Sequence, residues 1–184
     1  LAHITQATNL LGEDVIKFAL ETHKQIEKYA YVLHDKDFKI DEKTNQFIKN
    51  EKGEKIPVNP HWHIVLKFSS QVETKHIAGW FNIPENQIEC KYKGYYAFYD
   101  VCTYLTHKNY ANKHHYDYSD INANFDFEKF IVETELKKIK NGNSSPKKIR
   151  EKIRMQVMFE GLTLNEARRK NPENYMADYK YLQG

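Results

Sequence analysis

The stretch 61-HWHIVLKF-68 predicts a β-strand, one face of which carries polar side chains. Side chains alternate between the two faces of a strand, so the apolar residues at even positions point into a core. His61 and His63 then share the opposite face, where two neutral imidazoles can chelate a divalent metal ion. On these residues alone, a pair of surface histidines remains the alternative.

A second group of polar residues follows another apolar segment. Ala30–Leu33 predicts a buried strand, and His34-Asp35-Lys36-Asp37 comes directly after it. A third imidazole and a carboxylate at this strand end can complete the protein ligands of a metal. Mixed histidine and carboxylate ligation suits Mn²⁺ or Mg²⁺ and leaves positions open for phosphate oxygens. An ordinary polar turn is the alternative.

The segment Tyr95–His107 has the spacing of an amphipathic helix. On that helix Tyr104 lies one turn from Asp100 on one side and from His107 and Lys108 on the other. A metal ion and a nearby lysine would favour the phenolate form of a tyrosine and stabilise a pentacoordinate phosphate. The chain has 13 tyrosines, and spacing alone does not select Tyr104 among them.

The remaining segments predict a mixed α+β domain. We expect a short edge strand over Leu1–Thr8 and a short strand over Gln87–Lys91. Helices are expected over Gly12–Tyr29, Val72–Asn82 and Phe125–Lys140. We expect a long hairpin or loop insertion over Phe38–Pro60 and an exposed loop over Asn109–Asn124.

A change of composition predicts a domain boundary. Asn141–Ser145 is rich in Asn, Gly and Ser and is interpreted as a linker between a main domain, residues 1–140, and a small helical segment, residues 146–184. Thr163 and Glu166 have the spacing of a capping box. The segment 146–184 carries nine Lys and Arg against five Asp and Glu, which fits a surface facing DNA or a partner, including a second copy, but equally a solvated helix pair.

Composition limits the classes of protein. The 184 residues have a net charge of +3 and a mean hydropathy of −0.79, and no apolar run has membrane-spanning length. Leu1–Leu11 lacks the features of a signal peptide. Cys90 and Cys102 form no zinc-binding pattern, and a reducing cytoplasmic setting fits them best.

Aromatic residues are abundant, with 13 Tyr and 10 Phe. Most are expected to fill a core, but exposed rings can stack on the bases of single-stranded nucleic acid. The candidates for base stacking are Tyr92, Tyr95, Tyr116 and Tyr118.

Three motifs in order resemble those of the HUH endonucleases: 32-VLHDKD-37, 61-HWHIVL-66 and 104-YLTH-107. More narrowly, they are similar to the single-tyrosine replication initiators of small bacterial plasmids that replicate by a rolling circle. The tracts 115-HYD-117 and 124-NFD-126 add to this resemblance, which covers roughly residues 29 to 130. Three motifs in the right order are far more specific than any one of them.

The resemblance implies a function and the residues that perform it. His34, Asp37, His61 and His63 would hold the metal, and Tyr104 would be the nucleophile. The implied fold is a central antiparallel sheet of about five strands, ferredoxin- or RRM-like, with helices alongside. The implied reaction is nicking of single-stranded or hairpin origin DNA through a 5′-phosphotyrosine link, with a host helicase and polymerase as partners.

Lys108 as an aid to the nucleophile comes from helical geometry and not from the resemblance, since related viral initiators place their lysine in a different register. Three alternatives remain. A relaxase or transposase of the same superfamily would use the same chemistry, although relaxases place the tyrosine ahead of the histidine motif. An RRM-like module would bind nucleic acid without catalysis. A structural or interaction domain with a surface metal site would explain none of the motif order.

Overall fold

The computed structural model describes residues 1–41, 43, 44, 46–140, 163 and 166. The chain forms two compact units, Leu1–Ile131 and Val132–Gly184. In the second unit the described residues are the later part of one helix together with Thr163 and Glu166. These two residues form the predicted capping box: the Thr163 amide donates to the Glu166 carboxylate at 2.8 Å, and the Thr163 hydroxyl accepts from the Glu166 amide at 3.3 Å. The predicted linker and the rest of residues 146–184 lie outside the described residues.

The first unit is an α+β fold around a five-stranded antiparallel sheet, as predicted. The strands lie in the order β4-β1-β3-β2-β5. Their bounds are Ala2–Ala7 for β1, Ile26–His34 for β2, His61–Phe68 for β3, Ile88–Glu89 for β4 and Asn122–Ala123 for β5. The helices are α1 Glu13–Thr22, α2 Thr74–Phe81, α3 Ala97–Leu105 and α4 Phe127–Lys140.

Two expectations about these elements are wrong. The helix predicted for Gly12–Tyr29 ends at Thr22, and β2 begins at Ile26, because Ile26 and Tyr29 satisfy the spacing of either a helix or a strand. The first strand is not an edge strand, since β1 pairs with β3 on one side and with β4 on the other.

One face of the sheet is covered by α1 and α2. The core on this side contains Ile4 from β1, Ile64 from β3, Ile16 from α1 and Phe81 from α2, all fully buried. The alternation predicted for β3 is therefore confirmed, with its even positions in this core.

The other face packs on α3 and the first turns of α4. Val65 of β3 and Val32 of β2 are buried there against Leu105 and Phe127. This second core covers only part of the sheet face, and the rest of the face carries polar side chains. The segment between β2 and β3 folds back on itself as predicted, with isolated bridges such as Phe38 to Pro57. Among the described residues, no helix combines the length and apolar character needed to cross a bilayer.

Candidate metal and nucleophile site

The register of β2 and β3 brings three histidines together. His34 ends β2 and is the direct cross-strand partner of His61, which begins β3. His63 lies two residues further along the same face. Ligand nitrogens of His34, His61 and His63 all lie within 4.8 Å of one another, and we call these three residues the histidine cluster.

A carboxylate and a fourth imidazole join His34 in a second, overlapping group. Asp37 Oδ2 lies 3.9 Å from His34 Nδ1 and 3.5 Å from His107 Nδ1. The ligand atoms of these three residues also lie within 4.8 Å of one another. Both Nδ1 atoms are fully buried and, among the described residues, have no hydrogen-bond partner. Buried polar atoms without a partner are rare and are usually satisfied by a ligand, an ion or water.

Sequence reasoning placed His107 near Tyr104 but did not assign it to a metal. The available signal was its position three residues after Tyr104, although helical spacing does not bring the two together, because α3 ends before His107. His107 follows the end of α3 and adopts a left-handed backbone conformation, with φ at +53°. A left-handed residue commonly ends a helix, as Asn82 also does after α2.

Hydrogen bonds to backbone carbonyls fix which nitrogen carries the proton in two members of the cluster. His34 Nε2 lies 2.8 Å from the Leu105 carbonyl, and His61 Nδ1 lies 2.8 Å from the Asn59 carbonyl. A carbonyl oxygen only accepts, so these nitrogens are the donors. The lone pairs of His34 Nδ1 and His61 Nε2 are thereby left for a cation.

The protein environment keeps the imidazoles of His34, His63 and His107 neutral. Burial lowers the pKa of His34 to about 4, against smaller opposing effects of its bond to Leu105 and of Asp37. Burial and the neighbouring His34 lower the pKa of His107 to about 3. Burial also holds the pKa of His63 well below its ordinary value. Neutral imidazole is the form that binds metal ions.

Tyr104 lies beside this cluster, half-buried on α3. Its ring centroid is 5.2 Å from that of His63 and 5.0 Å from that of His107. The Lys113 ammonium group donates a hydrogen bond to the Tyr104 hydroxyl at 2.9 Å and lies 3.5 Å from His107 Nε2. A helix-borne phenol, a cation and the imidazoles thus converge in one place.

The structure does not bring Lys108 to Tyr104. The expectation assumed that the helix continues for another turn, but α3 ends at Leu105 and the left-handed His107 redirects the chain. The Lys108 ammonium group instead lies 3.4 Å from the ring centroid of Tyr118. Lys113 occupies the position expected of Lys108, and nothing in the spacing of the sequence pointed to it.

The four aromatic candidates for base stacking lie in different surroundings. Tyr95 is 89% exposed, whereas Tyr92 and Tyr118 are half-buried. Tyr116 is only 2% exposed, so the expectation that it is an exposed stacking surface is wrong. Its ring stacks on His34 at 4.4 Å, and its hydroxyl accepts hydrogen bonds from the backbone amides of residues 35 and 36.

A cavity of about 490 Å³ opens onto the cluster. His61, His63 and Tyr104 line it together with Tyr110, which is 45% exposed, and with the carboxylate residue Glu89. The imidazoles of His61 and His63 and the phenol of Tyr104 are therefore accessible from the same space.

No family model matches this chain. A "Replication protein" of Onion yellows phytoplasma (strain OY-M) is 43% identical to it over 119 residues. The matched region is 64% of this chain and 30% of that relative, so the chain spans about a third of the relative's length. This chain is thus similar to one part of a longer protein that is named for replication.

Proposed function

We propose that this chain is the origin-nicking domain of a replication initiator of the HUH type, acting in rolling-circle replication. The observation that carries the proposal is that Tyr104 lines one cavity together with His61 and His63 of the histidine cluster, while Lys113 donates a hydrogen bond to the Tyr104 hydroxyl. The similarity to a replication protein supports the biological setting. The three ordered motifs of the sequence support the single-tyrosine class.

The residues fit a divalent cation. His34, Asp37, His61 and His63 would supply three nitrogens and one carboxylate. His34 belongs to both candidate groups and so links Asp37 to His61 and His63, and its unpartnered Nδ1 atom lies 3.9 Å from Asp37 Oδ2. This mixed set of donors suits Mn²⁺ or Mg²⁺, and His107 is available as a further donor. When bound, such a cation supplies Lewis-acid polarisation of a scissile phosphate.

Tyr104 is the nucleophile of the proposed reaction. Its phenolic oxygen forms a bond to the phosphorus of a phosphodiester in single-stranded or hairpin DNA, and the bond from phosphorus to the 3′ oxygen breaks. The phenol gives up its proton and the departing 3′ oxygen takes one up. The products are a 5′-phosphotyrosine link and a free 3′-hydroxyl that can prime a polymerase.

The same residues can rejoin strands, because the phosphotyrosine bond conserves the energy of the original ester. A 3′-hydroxyl attacks the phosphotyrosine, and Tyr104 leaves as the phenol. Lys113 is placed to stabilise negative charge on the Tyr104 oxygen in both directions, since it already donates to that oxygen at 2.9 Å. No nucleoside triphosphate is required for either step. A host helicase and polymerase would act on the nicked strand.

Exposed aromatic rings at the cavity would hold the DNA strand. Tyr110 lines the cavity and contacts Tyr104, with ring centroids 5.3 Å apart. Tyr95 does not line the cavity, but it is the most exposed of the large aromatic side chains in the described residues. Stacking on such rings tolerates many base sequences, so recognition of an origin needs further contacts.

The test is covalent capture of DNA. The protein is incubated with Mn²⁺ and with labelled single-stranded fragments that cover the DNA around its own gene, and products are resolved under denaturing conditions. We expect an adduct that resists SDS and is absent from Tyr104→Phe. Tyr31→Phe is the matched control, because Tyr31 lies on the opposite, apolar face of the sheet.

Two outcomes would contradict the proposal. An adduct that persists in Tyr104→Phe would assign the nucleophile to another residue. Binding of these fragments without any adduct would favour a non-catalytic, RRM-like module.

A further inference from the structure

A chain of three hydrogen bonds leads away from the histidine cluster. His63 Nδ1 lies 2.9 Å from His3 Nε2, and His3 Nδ1 lies 3.1 Å from the Tyr92 hydroxyl. The Tyr92 hydroxyl lies 2.7 Å from Glu89 Oε2. None of the motifs in the sequence includes His3 or Glu89, and the proposed reaction does not use them.

The donor and acceptor in each of these hydrogen bonds follow from the acceptor at the end of the chain, the Glu89 carboxylate. The Glu89 carboxylate only accepts, so the Tyr92 hydroxyl donates to it. Burial and this bond to Glu89 raise the pKa of Tyr92, so the phenol keeps its proton. The Tyr92 oxygen then accepts from His3 Nδ1, which leaves the lone pair of His3 on Nε2.

His3 Nε2 in turn accepts from His63 Nδ1. The Thr5 hydroxyl, 3.3 Å from His63 Nδ1, can accept from the same proton. His63 therefore carries its proton on Nδ1, and its lone pair lies on Nε2. Nε2 is the nitrogen that remains for the cluster.

We infer that Glu89, Tyr92 and His3 are positioning residues, which hold His63 in the tautomer and ring orientation that bind the metal. The inference deepens the proposed function and rests on it for the identity of the ligand. Partners of this kind orient a metal-binding imidazole and raise its basicity.

We call the hydrogen-bonded chain Glu89–Tyr92–His3–His63 the relay. The sheet fixes the positions of its members. His3 of β1 is the direct cross-strand partner of Glu89 in β4, and His3 is only 7% exposed. The His3 and His63 rings are nearly parallel, with an interplanar angle of 22° and centroids 5.0 Å apart, which is compatible with a hydrogen bond between their edges. Since β4 has only two residues, the Tyr92–Glu89 and Tyr92–His3 bonds add side-chain links between β4 and β1.

The first test uses the protein without metal, in EDTA. Long-range ¹H–¹⁵N correlation spectra distinguish a histidine protonated on Nδ1 from one protonated on Nε2. We expect both His63 and His3 in the Nδ1–H form, and a mixture of tautomers at both residues in Tyr92→Phe. Tyr31→Phe is the matched control, because it removes another tyrosine hydroxyl bonded to a glutamate, here Glu13, on the opposite face. Its spectra should keep the Nδ1–H form.

The second test measures Mn²⁺ affinity by electron paramagnetic resonance of the free ion. Tyr92→Phe should weaken binding about ten-fold or more, in the range found for partners of metal-binding histidines. Glu89→Gln should have a smaller effect, because its amide oxygen still accepts from Tyr92. Tyr31→Phe should bind as the unaltered protein does.

The outcomes separate this inference from the proposed function. His63 found in the Nε2–H form, or a tautomer unchanged in Tyr92→Phe, overturns the relay whether or not metal binds. Absence of Mn²⁺ binding by the unaltered protein overturns the metal site, while the spectra of the metal-free protein still decide the relay.

Discussion

The two faces of the central sheet differ sharply although the same strands build both. On the face covered by α1 and α2, β1 and β3 contribute Ile4, Ile64 and Leu66, which are fully buried among apolar side chains. Burial of such residues supplies stability, about 1.5–3 kcal/mol for each aliphatic side chain. The buried Gln6 shares this face of β1 with Ile4, and its side-chain oxygen accepts a hydrogen bond from the Ala7 amide.

The opposite face places polar groups where burial is unfavourable. His34 and His63 are at most 4% exposed, and His3 is 7% exposed. Burying a polar group without a partner costs about 1–3 kcal/mol, so such a face persists only where hydrogen bonds or a ligand compensate. Adjacent residues of β3 therefore have different roles. Side chains at even positions stabilise the fold, and those at odd positions near the start of the strand form the site.

The largest expected effects come from replacing two neighbours on opposite faces. Ile64→Ala should lower the free energy of unfolding by about 2–5 kcal/mol, because it leaves a cavity in the apolar core. His63→Ala should reduce the rate of DNA cleavage by more than about 100-fold, because it removes a proposed metal ligand. Loss of a residue that only orients such a ligand costs up to about 100-fold, and loss of the ligand itself should cost more. Urea unfolding and single-turnover cleavage with Mn²⁺ measure the two quantities.

Each variant serves as the control for the other. Ile64→Ala should cleave at nearly the normal rate per folded molecule, and His63→Ala should lose less stability than Ile64→Ala. Equal losses of stability together with equal losses of cleavage would show that the two faces are not divided in this way.

A smaller effect distinguishes the two lysines near the polar face. Lys113→Ala should slow formation of the covalent adduct about 100-fold, because the Tyr104 hydroxyl loses a charged donor at 2.9 Å. Lys108→Ala should slow adduct formation less than about ten-fold, because the Lys108 ammonium group contacts the Tyr118 ring and not the Tyr104 hydroxyl. Rates of adduct formation at saturating Mn²⁺ test this. The reverse order would favour the expectation from helical spacing.

The sequence predicts the parts of this molecule that follow a regular period. The alternation in β3 correctly separates its core positions from its histidines, and the strand before His34 ends where expected. The convergence of His34, His61 and His63 follows from pairing these two strands in antiparallel register. The period fails where two patterns coincide, as at Ile26, which fits a helix and a strand equally.

Groups placed by loops cannot be found in this way. Lys113 and Tyr116 lie between α3 and β5, in a segment without helical or strand periodicity. Their positions depend on contacts far apart in sequence, such as the stacking of Tyr116 on His34 and the bond from the Tyr116 amide to the Thr106 carbonyl. Polar neighbours made Tyr116 look exposed, and only the tertiary fold shows it buried.

A last expected effect is a pH dependence of stability to which the polar face contributes. In the metal-free protein the pKa of His34 is about 4 and that of His107 about 3, mainly because of burial. In the unfolded chain both return to about 6.5. The unfolded state therefore binds more protons below pH 6.5, and the free energy of unfolding falls as the pH drops from about 6.5 towards 4.

Urea unfolding in EDTA at several values between pH 7.5 and 5 measures this slope, above the range in which most carboxylates titrate. The double variant His34→Gln and His107→Gln should have a flatter slope, because its side chains at these positions do not titrate. The apolar core contributes nothing to the slope in either protein. A slope that is equal in the two proteins, or stability that rises as the pH falls, would mean that these imidazoles are not held neutral.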